Sequence, residues 1–577
     1  MRAFVQRHPV FWAYCFIAYF SLSYHIPIYA KGMAGFSGLR QAVLMSFLWL
    51  LPVIVLPRHI RPLLAVIGLL LWPAALTSIF YFMIYGQEFS QSAIFIAFES
   101  NMAESSEFVQ SYWQPWFIPV ILGYSVVPVW MWRQLEPVTL NQGQRLGFGS
   151  VFALIAFWPF IGTLAASSNA SVQDAGYHQI VRMEPAAPWN LVFGYLKYEQ
   201  QMSDMMALLE QNEAVQPLAD LVEVGELPST VVLVIGESTN RQRMGLYGYS
   251  RDTTPRLDHL QHEGELLVFR DVVSPRPYTI EALQQALSFA DSKSPERFFT
   301  EPTLLNMMRQ AGYEITWITN QQTQTRRNTM LTTFSQMADH QIYLNNNRQQ
   351  NANQYDEVVI APFEAALASA AKRKLIVVHL LGTHRGYNYR YPETFAYFND
   401  ASDAPLWITP DILDEYNSYD NAVLYNDFVV STLIDKTRMK GDNSLVVYFS
   451  DHGEEVYDTP AALFTGRNEA APTAAMYTVP FVVWTSEAFK RARDIGSWAE
   501  AQARPFSNAH FIHTFADMVG LRFRQLEPSN SLISAEFTPS SRWVGNPLNP
   551  ADLQDFDTAM SAVPANGGQA GDTLVRQ

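Results

Sequence analysis

The amino-terminal third of the chain is dominated by long apolar stretches. Five of them lie within residues 1–166, and most approach the roughly 20 apolar residues that a helix needs to cross a bilayer. A buried soluble helix is the alternative for any single stretch, but five in succession favour membrane spans. We therefore predict five transmembrane helices, at about residues 10–30, 41–57, 62–86, 115–132 and 149–166.

Basic residues predict the orientation of these spans. Arginines precede the first span and lie between the second and third and between the fourth and fifth, whereas the loop over 87–114 is acidic. Because positive residues favour the cytoplasmic side, the amino terminus is predicted to lie inside. Five spans then place everything after residue 166 outside. Lys31 and Arg40 fall outside in this arrangement and fit it less well.

After residue 220 the pattern changes to short β-branched and aromatic runs that alternate with helical periodicity. Two runs, VVLVIGEST at 231–239 and SLVVYFSDHGEE at 444–455, are typical of buried strands. Further strands are predicted at 266–273, 314–319, 374–381 and 481–484, and helices at 279–290, 303–311, 353–371 and 510–519. This alternation predicts an α/β soluble domain over 221–545, with a mainly parallel sheet flanked by helices.

The two prominent strands end in residues that bind metal ions. Glu237 follows the first strand, and Asp451 and His452 follow the second. Ligands of open α/β sheets collect beyond the carboxyl ends of the strands, so these side chains are expected to meet there. Two carboxylates and an imidazole suit zinc, with a position left open for a reacting group. For either strand alone, polar residues that cap the next turn would be the simpler interpretation.

A hydroxyl that could react at this metal lies in the segment SPRPYTIEALQQALSFAD, residues 274–291. Two prolines hold the approach extended, and Thr279 stands where a helix is predicted to begin. The unpaired backbone N–H groups of a helix start suit a phosphoryl oxygen, and a metal would lower the pKa of the hydroxyl. The alternative is an ordinary N-cap. The capping box is incomplete, since Ala282 stands where Glu or Gln is favoured.

Charge and cysteine content narrow the function further. Residues 1–166 carry 8 basic and 5 acidic side chains, whereas residues 167–577 carry 31 and 49. A domain this acidic is not expected to bind nucleic acid through its phosphates. The single cysteine, Cys15, lies in the first predicted span, so the soluble part has no disulfide.

Two segments flank the predicted catalytic domain. Residues 167–220 are predicted to be a juxtamembrane linker, in which the stretch 188–204 forms either an interfacial helix or a helix packed on the catalytic domain. Residues 546–577 lack periodicity and are rich in Ala, Asn, Asp, Gly and Pro, so a disordered tail is expected.

Several of these motifs resemble those of one family. The strings VLVIGESTNRQRMGLYGYSRDTTPRL, PRPYTIEALQQALSFAD and YFSDHGEE are similar to the lipid A and lipopolysaccharide phosphoethanolamine transferases, which are membrane-anchored members of the alkaline phosphatase/sulfatase superfamily. WITNQQTQTRRNTML and LIVVHLLGTH most resemble the members that modify the lipopolysaccharide core. The resemblance implies a multi-pass protein of the bacterial inner membrane, surrounded by membrane lipids, with its catalytic domain in the periplasm.

The resemblance also implies a ligand set and a reaction. Glu237, Thr279, Asp451 and His452 would bind zinc, and Thr279 would also be the nucleophile. Its hydroxyl would attack the phosphorus of phosphatidylethanolamine, release diacylglycerol and hold phosphoethanolamine as a phosphothreonine intermediate. Lipopolysaccharide, through a core sugar or lipid A, would then accept the group. A covalent intermediate lets two bulky lipids visit the site in turn.

Other residues match family positions that contact substrate. Ser100 and Glu104 match two of three donor-binding positions between the third and fourth spans, whereas Ile96 departs from the pattern at the other. Thr323 and Arg326 resemble family residues near the substrate phosphate, which an arginine can bind through two hydrogen bonds.

Histidines define a further expectation. His384, in HLLGTH, matches a family histidine associated with the substrate or a second zinc. A second family histidine, shortly after DHGE, has no counterpart, because no histidine lies between His452 and His510. We therefore expect one tightly held zinc, and we expect His510 and His513 to be residues of the fold.

Three other classes of protein share part of this pattern. A glycerol-phosphate transferase or phosphodiesterase of the same superfamily, acting on another envelope glycan, would share these spans, ligands and threonine. A sulfatase would need a cysteine or serine that becomes formylglycine, and Cys15 lies in a predicted span. A non-enzymatic scaffold would have lost ligand residues, whereas all four are present.

Overall fold

The computed structural model describes residues 5, 7–30, 36–85, 115–166, 172–196, 199, 218–322, 334–345, 355–460, 464–469, 472–547 and 553–561. These residues form two compact units, one containing those up to 199 and the other those from 218 onwards.

The first unit is helical. Its helices are α1 (Pro9–Ala30), α2 (Phe36–Met45), α3 (Leu50–Val55), α4 (Ile60–Tyr85), α5 (Phe117–Arg133), α6 (Gln142–Ala166) and α7 (Val172–Met183). Among the described residues, three stretches are long and apolar enough to cross a membrane: Gly38–Val55, Pro57–Met83 and Gln142–Ala165. α1 carries Trp, Tyr, Ser and His among its apolar residues, and α5 is only 17 residues long. The count of five spans stays a prediction.

Aromatic and small residues determine how these helices pack. A Cβ on Gly68 of α4 would lie 2.8 Å from the ring of Phe16 in α1, so the glycine permits their close approach. Residues 189–196 are helical, and Trp189 stacks on Trp49 with ring centroids 5.7 Å apart. The segment 189–196, which belongs to the predicted interfacial helix, thus packs through Trp189 on Trp49 of the same unit.

A seven-stranded sheet forms the centre of the second unit. Its strands are β1 (Thr230–Gly236), β2 (Leu266–Val268), β3 (Glu314–Gln322), β4 (His340–Asn345), β5 (Lys374–His379), β6 (Ser444–Ser450) and β7 (Phe481–Thr485). Their order across the sheet is β2-β7-β6-β1-β5-β3-β4. The strands from β6 to β4 in this order are parallel, and β7 is antiparallel to both its neighbours. The prediction of a mainly parallel sheet is confirmed.

Helices flank this sheet because its central strands are buried along their whole length. Every residue of β1, β5 and β6 is buried, as expected for continuous apolar strands of a parallel sheet. The longer helices are α8 (Pro255–His262), α9 (Thr279–Ala286), α10 (Leu304–Gln310), α11 (Ile360–Leu367), α12 (Pro410–Lys440) and α13 (Phe511–Val519). Shorter helices cover Arg297–Thr300, Ala474–Tyr477, Glu487–Ala492, Gly496–Glu500 and Phe556–Ser561.

Four two-stranded pairs complete the unit. They join Val222–Glu223 to Leu521–Arg522, Glu455–Val456 to Thr465–Gly466, Val272–Val273 to Phe506–Ser507, and Trp543–Val544 to Gln554–Asp555. The second strand of the last pair, Gln554–Asp555, and the helix after it lie within the stretch 546–577 that was expected to be disordered. Phe556 and Met560 pack in a small core with Met476 and Tyr477. These two apolar residues anchor residues 553–561, which corrects the expectation of disorder for this part of the tail; that expectation came from the average composition of residues 546–577.

Candidate metal centre

The register of the central strands brings the predicted ligands together. β1 and β6 are parallel neighbours, and Gly236 at the end of β1 pairs with Ser450 at the end of β6. The next residue on each strand is therefore a carboxylate, Glu237 on one and Asp451 on the other. His452 follows Asp451 in the same turn. The site lies at the carboxyl edge of the parallel sheet, where α/β folds place their ligands.

Glu237, Asp451 and His452 form a compact buried cluster. One ligand atom from each lies within 4.8 Å of the others, and no other group of this kind occurs among the described residues. His452 Nε2 is 3.2 Å from Glu237 Oε1 and 3.4 Å from Asp451 Oδ2. Each of the three side chains is at most 1% exposed. The structure thus brings together the three predicted metal ligands that follow the two predicted strands.

The two oxygens of Asp451 have different surroundings. Oδ1 accepts hydrogen bonds from the backbone N–H groups of Ser238, at 3.2 Å, and His452, at 2.7 Å. Oδ2 is buried and has no hydrogen-bond partner among the residues that the structure describes. Burial raises the pKa of Asp451, and the neighbouring Glu237 carboxylate raises it further, to about 7. A buried carboxylate oxygen left unpaired is costly, and a metal ion bound at this edge would satisfy it.

His452 presents a lone pair to the same point. Its Nδ1 lies 2.8 Å from the carbonyl oxygen of Gly453 and must donate to it. Nε2 is therefore the acceptor, and it receives a hydrogen bond from Arg467 Nη1 at 2.6 Å. The neutral ring protonated on Nδ1 is the form in which histidine binds a metal through Nε2, with the other nitrogen held by a carbonyl.

Tight turns hold these ligands in place. A Cβ on Gly453 would lie 2.1 Å from the carbonyl oxygen of Ala475, so the turn after His452 excludes any larger residue. Ser238 adopts a left-handed conformation with φ of 60°, and its hydroxyl donates to Glu237 Oε1 at 2.8 Å. A non-glycine residue rarely takes this conformation, which is commonest at functional sites.

Thr279 reaches the cluster and does not cap its helix. The N-cap of α9 is Tyr278, and Thr279 is the first helical residue. The Thr279 hydroxyl donates to Glu237 Oε2 at 2.9 Å and lies 3.4 Å from His452 Nε2. The side chain is 2% exposed. The interpretation of Thr279 as an ordinary N-cap is therefore wrong, because its oxygen points to the carboxylate.

His384 lies beside the cluster, in the turn after β5. It is not one of the three clustered side chains, although it is close enough for its charge to act on Glu237. The turn packs on the strand end, since Thr383 N–H donates to the carbonyl oxygen of Glu237 at 3.0 Å. Gly382 has φ of +56°, and a Cβ there would lie 2.7 Å from the same oxygen.

The other predicted substrate residues have no described position. Ser100, Glu104, Thr323 and Arg326 lie outside the described residues. His510 and His513 lie at the start of and within α13; His513 Nδ1 accepts a hydrogen bond from the backbone N–H of Glu527 at 3.1 Å.

Two residues at the site were not predicted. Gln321, near the end of β3, donates to Glu237 Oε2 at 3.2 Å and to the carbonyl oxygen of Leu380 at 2.7 Å. Its position at the end of a parallel strand is a signal that could have identified it. Arg467 contacts the cluster from a hairpin, and no local sequence pattern marks it.

Known proteins resemble the chain over nearly its whole length. A family model described as Sulfatase matches residues 229–521. The phosphoethanolamine transferase EptC of Escherichia coli (strain K12) is 45% identical over 565 residues, which cover 96% of this chain and 97% of EptC. The phosphoethanolamine transferase CptA of Salmonella typhimurium is 46% identical, with the same coverage.

Solved structures resemble the chain as well. The crystal structure of the C-terminal periplasmic domain of E. coli EptC in complex with Zn shares 50% identity and a TM-score of 0.58, and covers 60% of this chain and 97% of that domain. The integral membrane protein EptA from Neisseria meningitidis covers 90% of this chain and 98% of its own, with a TM-score of 0.61 at 20% identity. At 20% identity, the match to EptA shows similarity of fold alone.

Proposed function

We propose that this chain, which belongs to the phosphoethanolamine transferase family, moves phosphoethanolamine from phosphatidylethanolamine to lipopolysaccharide through a phosphothreonine at residue 279. The single observation that carries the proposal is the hydrogen bond of 2.9 Å from the Thr279 hydroxyl to Glu237, within the cluster of three ligand residues. A buried hydroxyl bound to a carboxylate is arranged as an activated nucleophile.

The first step exchanges one phosphorus–oxygen bond for another. The Thr279 oxygen forms a bond to phosphorus while the bond from phosphorus to the diacylglycerol oxygen breaks. The hydrogen bond to Glu237 directs the Thr279 proton away from the attacking oxygen, and that proton leaves on diacylglycerol. The start of α9 faces the phosphoryl oxygens with backbone N–H groups, which stabilise negative charge.

The second step reverses the first with a different alcohol or phosphate. An acceptor oxygen of lipopolysaccharide bonds to phosphorus, the bond to Thr279 breaks, and Thr279 regains a proton. The acceptor class follows from relatives named as phosphoethanolamine transferases, among which two are named Kdo(2)-lipid A phosphoethanolamine 7''-transferases. The acceptor oxygen belongs either to a core sugar or to lipid A.

Zinc is the metal that the donor set favours. Glu237, Asp451 and His452 would hold it, with the Thr279 oxygen as a fourth ligand, because two carboxylates and an imidazole match zinc coordination. The unpartnered Asp451 Oδ2 and the acceptor lone pair of His452 Nε2 fit such an ion. Bound there, zinc would act as a Lewis acid that favours the alkoxide and offsets phosphoryl charge.

Outer residues complete the proposal. His384 and the residues Ser100, Glu104, Thr323 and Arg326 are assigned to substrate binding. We place the catalytic domain, residues 221–545, in the periplasm behind five inner-membrane spans, joined to them by the linker 167–220.

The proposal is tested with headgroup-labelled phosphatidylethanolamine and purified full-length protein. We expect a phosphoethanolamine adduct on a peptide containing Thr279 when donor alone is added, no adduct with Thr279→Ala, and a slower adduct with Thr279→Ser. The serine variant is the matched control because it keeps the hydroxyl. Transfer by the alanine variant would exclude Thr279 as nucleophile.

Two further measurements fix the donor and the acceptor. Phosphatidylglycerol in place of phosphatidylethanolamine tests for a glycerol-phosphate transferase, and a glycerol-phosphate adduct would favour that alternative. Mass spectrometry of lipid A and core oligosaccharide from cells with and without the gene identifies the acceptor. An unchanged mass in both fractions would contradict lipopolysaccharide as the acceptor.

A further inference from the structure

A guanidinium group lies at the candidate metal centre. Arg467 Nη1 is 2.6 Å from His452 Nε2 and 3.6 Å from Glu237 Oε1. On its other side, Arg467 Nε is 3.1 Å from Glu454 Oε2. The cation therefore bridges two of the proposed zinc ligands and a carboxylate that is not one of the three clustered groups.

The position of Arg467 is built into the fold. It follows directly on the strand Thr465–Gly466, which pairs with the strand Glu455–Val456 just after the ligand turn. Two residues later, Glu469 forms a two-point ion pair with Arg276, at 2.7 and 3.0 Å, in which each side chain is 8% exposed. Because Arg276 precedes Thr279 by three residues, this pair fixes the Arg467 segment beside the nucleophile.

The carboxylate that anchors Arg467 is itself fixed. Glu454 is fully buried, and its Oε1 accepts a hydrogen bond from the Tyr387 hydroxyl at 3.0 Å. The Arg467 side chain is 13% exposed, and its Nε is held at Glu454. Rotation about this anchored end would move Nη1 without breaking the contact with Glu454.

Arg467 and a metal ion compete for the same lone pair. His452 Nε2 can accept from the guanidinium or bind a cation, but it cannot do both. When zinc occupies the cluster, Nη1 of Arg467 has to leave His452 Nε2, and it brings a positive charge and an N–H donor beside Thr279, whose hydroxyl lies 3.4 Å from the same nitrogen. The ligand suited to such a group is a phosphoryl oxygen, which arginine binds through charge-assisted hydrogen bonds.

We propose that Arg467 is the phosphoryl-binding residue of this site, turning about its Glu454 contact from His452 Nε2 to a non-bridging oxygen of the phosphoryl group on Thr279. The inference rests on the proposed function and adds a residue to it. In this chain a guanidinium then supplies the second positive charge beside the zinc. The phosphoethanolamine headgroup is held between the two charges while the lipid partners exchange.

The test uses the zinc-loaded full-length protein and inorganic phosphate as the probe. In Arg467→Gln we expect phosphate to bind about tenfold to a hundredfold more weakly by calorimetry, the loss expected for one charge-assisted contact. The phosphate affinity of Arg467→Lys should lie between those of the wild type and Arg467→Gln, because a lysine keeps the charge but not the planar donor pair. Arg524→Gln is the matched control, since that arginine is 72% exposed and its ion pair is with Asp220, which is also exposed.

Zinc affinity separates this role from a structural one. Chelator competition should show that Arg467→Gln binds zinc at least as tightly as the wild type, because a competing cation has been removed. Loss of zinc would show that Arg467 only holds the ligand turn in place, and unchanged phosphate affinity would also overturn the proposal. Phosphate binding does not require headgroup transfer. A missing Thr279 adduct in the wild type would therefore refute the proposed function, whereas the role of Arg467 would still be decided by the phosphate affinities.

Discussion

Replacing Gly453 by alanine tests whether the turn after His452 sets the geometry of the metal centre. The added methyl carbon would lie 2.1 Å from the carbonyl oxygen of Ala475 and 3.1 Å from that of Thr478. Ordinary carbon–oxygen contacts begin at about 3.3 Å, so the backbone would have to move by about 1 Å to remove the clash. Both obstacles are backbone atoms, so no side-chain rotation relieves the clash.

The clash can be accommodated in two ways. Overpacking of this kind destabilises a domain by about 1–3 kcal/mol. If the strain is instead relieved by moving His452, a displacement of about 1 Å at a reacting site lowers the rate about a hundredfold. We therefore expect Gly453→Ala to lose transfer activity and part of its zinc, with at most a modest fall in melting temperature.

The assay combines zinc stoichiometry, thermal unfolding and headgroup transfer on the same full-length preparation. Gly496→Ala is the matched control, because its Cβ would meet only the side chain of Asp494, at 3.2 Å, at the start of a short helix. A Gly453→Ala protein with full zinc and wild-type transfer would refute the claim that this turn positions the ligand.

The remaining predictions concern the metal. Removing one ligand from a four-ligand site should weaken zinc greatly, so metal analysis should find little zinc in any of Glu237→Ala, Asp451→Ala and His452→Ala; full occupancy in all three would refute the site. His384→Ala should impair turnover and keep the tight zinc, because His384 lies beside the cluster and outside it. Equilibrium dialysis should find one tight zinc per substrate-free molecule, and two would point to a ligand not recognised in the sequence.

The sequence predicts the sheet and the three clustered ligands because both depend on local signals. A continuous β-branched run identifies a buried strand, and the residue just after it must lie at the sheet edge. Glu237 and Asp451 could therefore be paired in advance, although their strands are distant in the chain. The prediction needed only that the two strands be parallel neighbours, which their register confirms.

Contacts made by long side chains across the fold could not be predicted in this way. Arg467 follows a two-residue strand in a hairpin, and its approach to the cluster depends on the contact with Glu454 and on the buried pair of Arg276 and Glu469. The role of Thr279 was ambiguous for a related reason. Whether a threonine at a helix start caps the helix or reaches a carboxylate depends on a one-residue shift of the N-cap, here to Tyr278.

The longest described helix, α12, shows a second limit of predicting helices from hydrophobic periodicity. No helix is predicted there from the sequence, although α12 spans 31 residues. Many of its buried residues are polar: Asp420 pairs with Arg243 at 2.7 Å and with Arg251 at 2.9 Å, and all three side chains are at most 2% exposed. A helix that packs through ion pairs lacks the apolar stripe by which periodicity identifies a helix.

The pairing of β1 with β6 has a consequence for how the protein matures. Ser238 and Asp451, joined by a hydrogen bond across this junction, are 213 residues apart in the chain. Contacts of such long range form late in folding, and domains are synthesised from the amino-terminal end. Glu237 and Thr279 are thus made long before Asp451 and His452, and half a ligand set holds a metal poorly. Uptake of the proposed metal should therefore follow the closing of the central sheet and mark the moment when the chain becomes competent for catalysis.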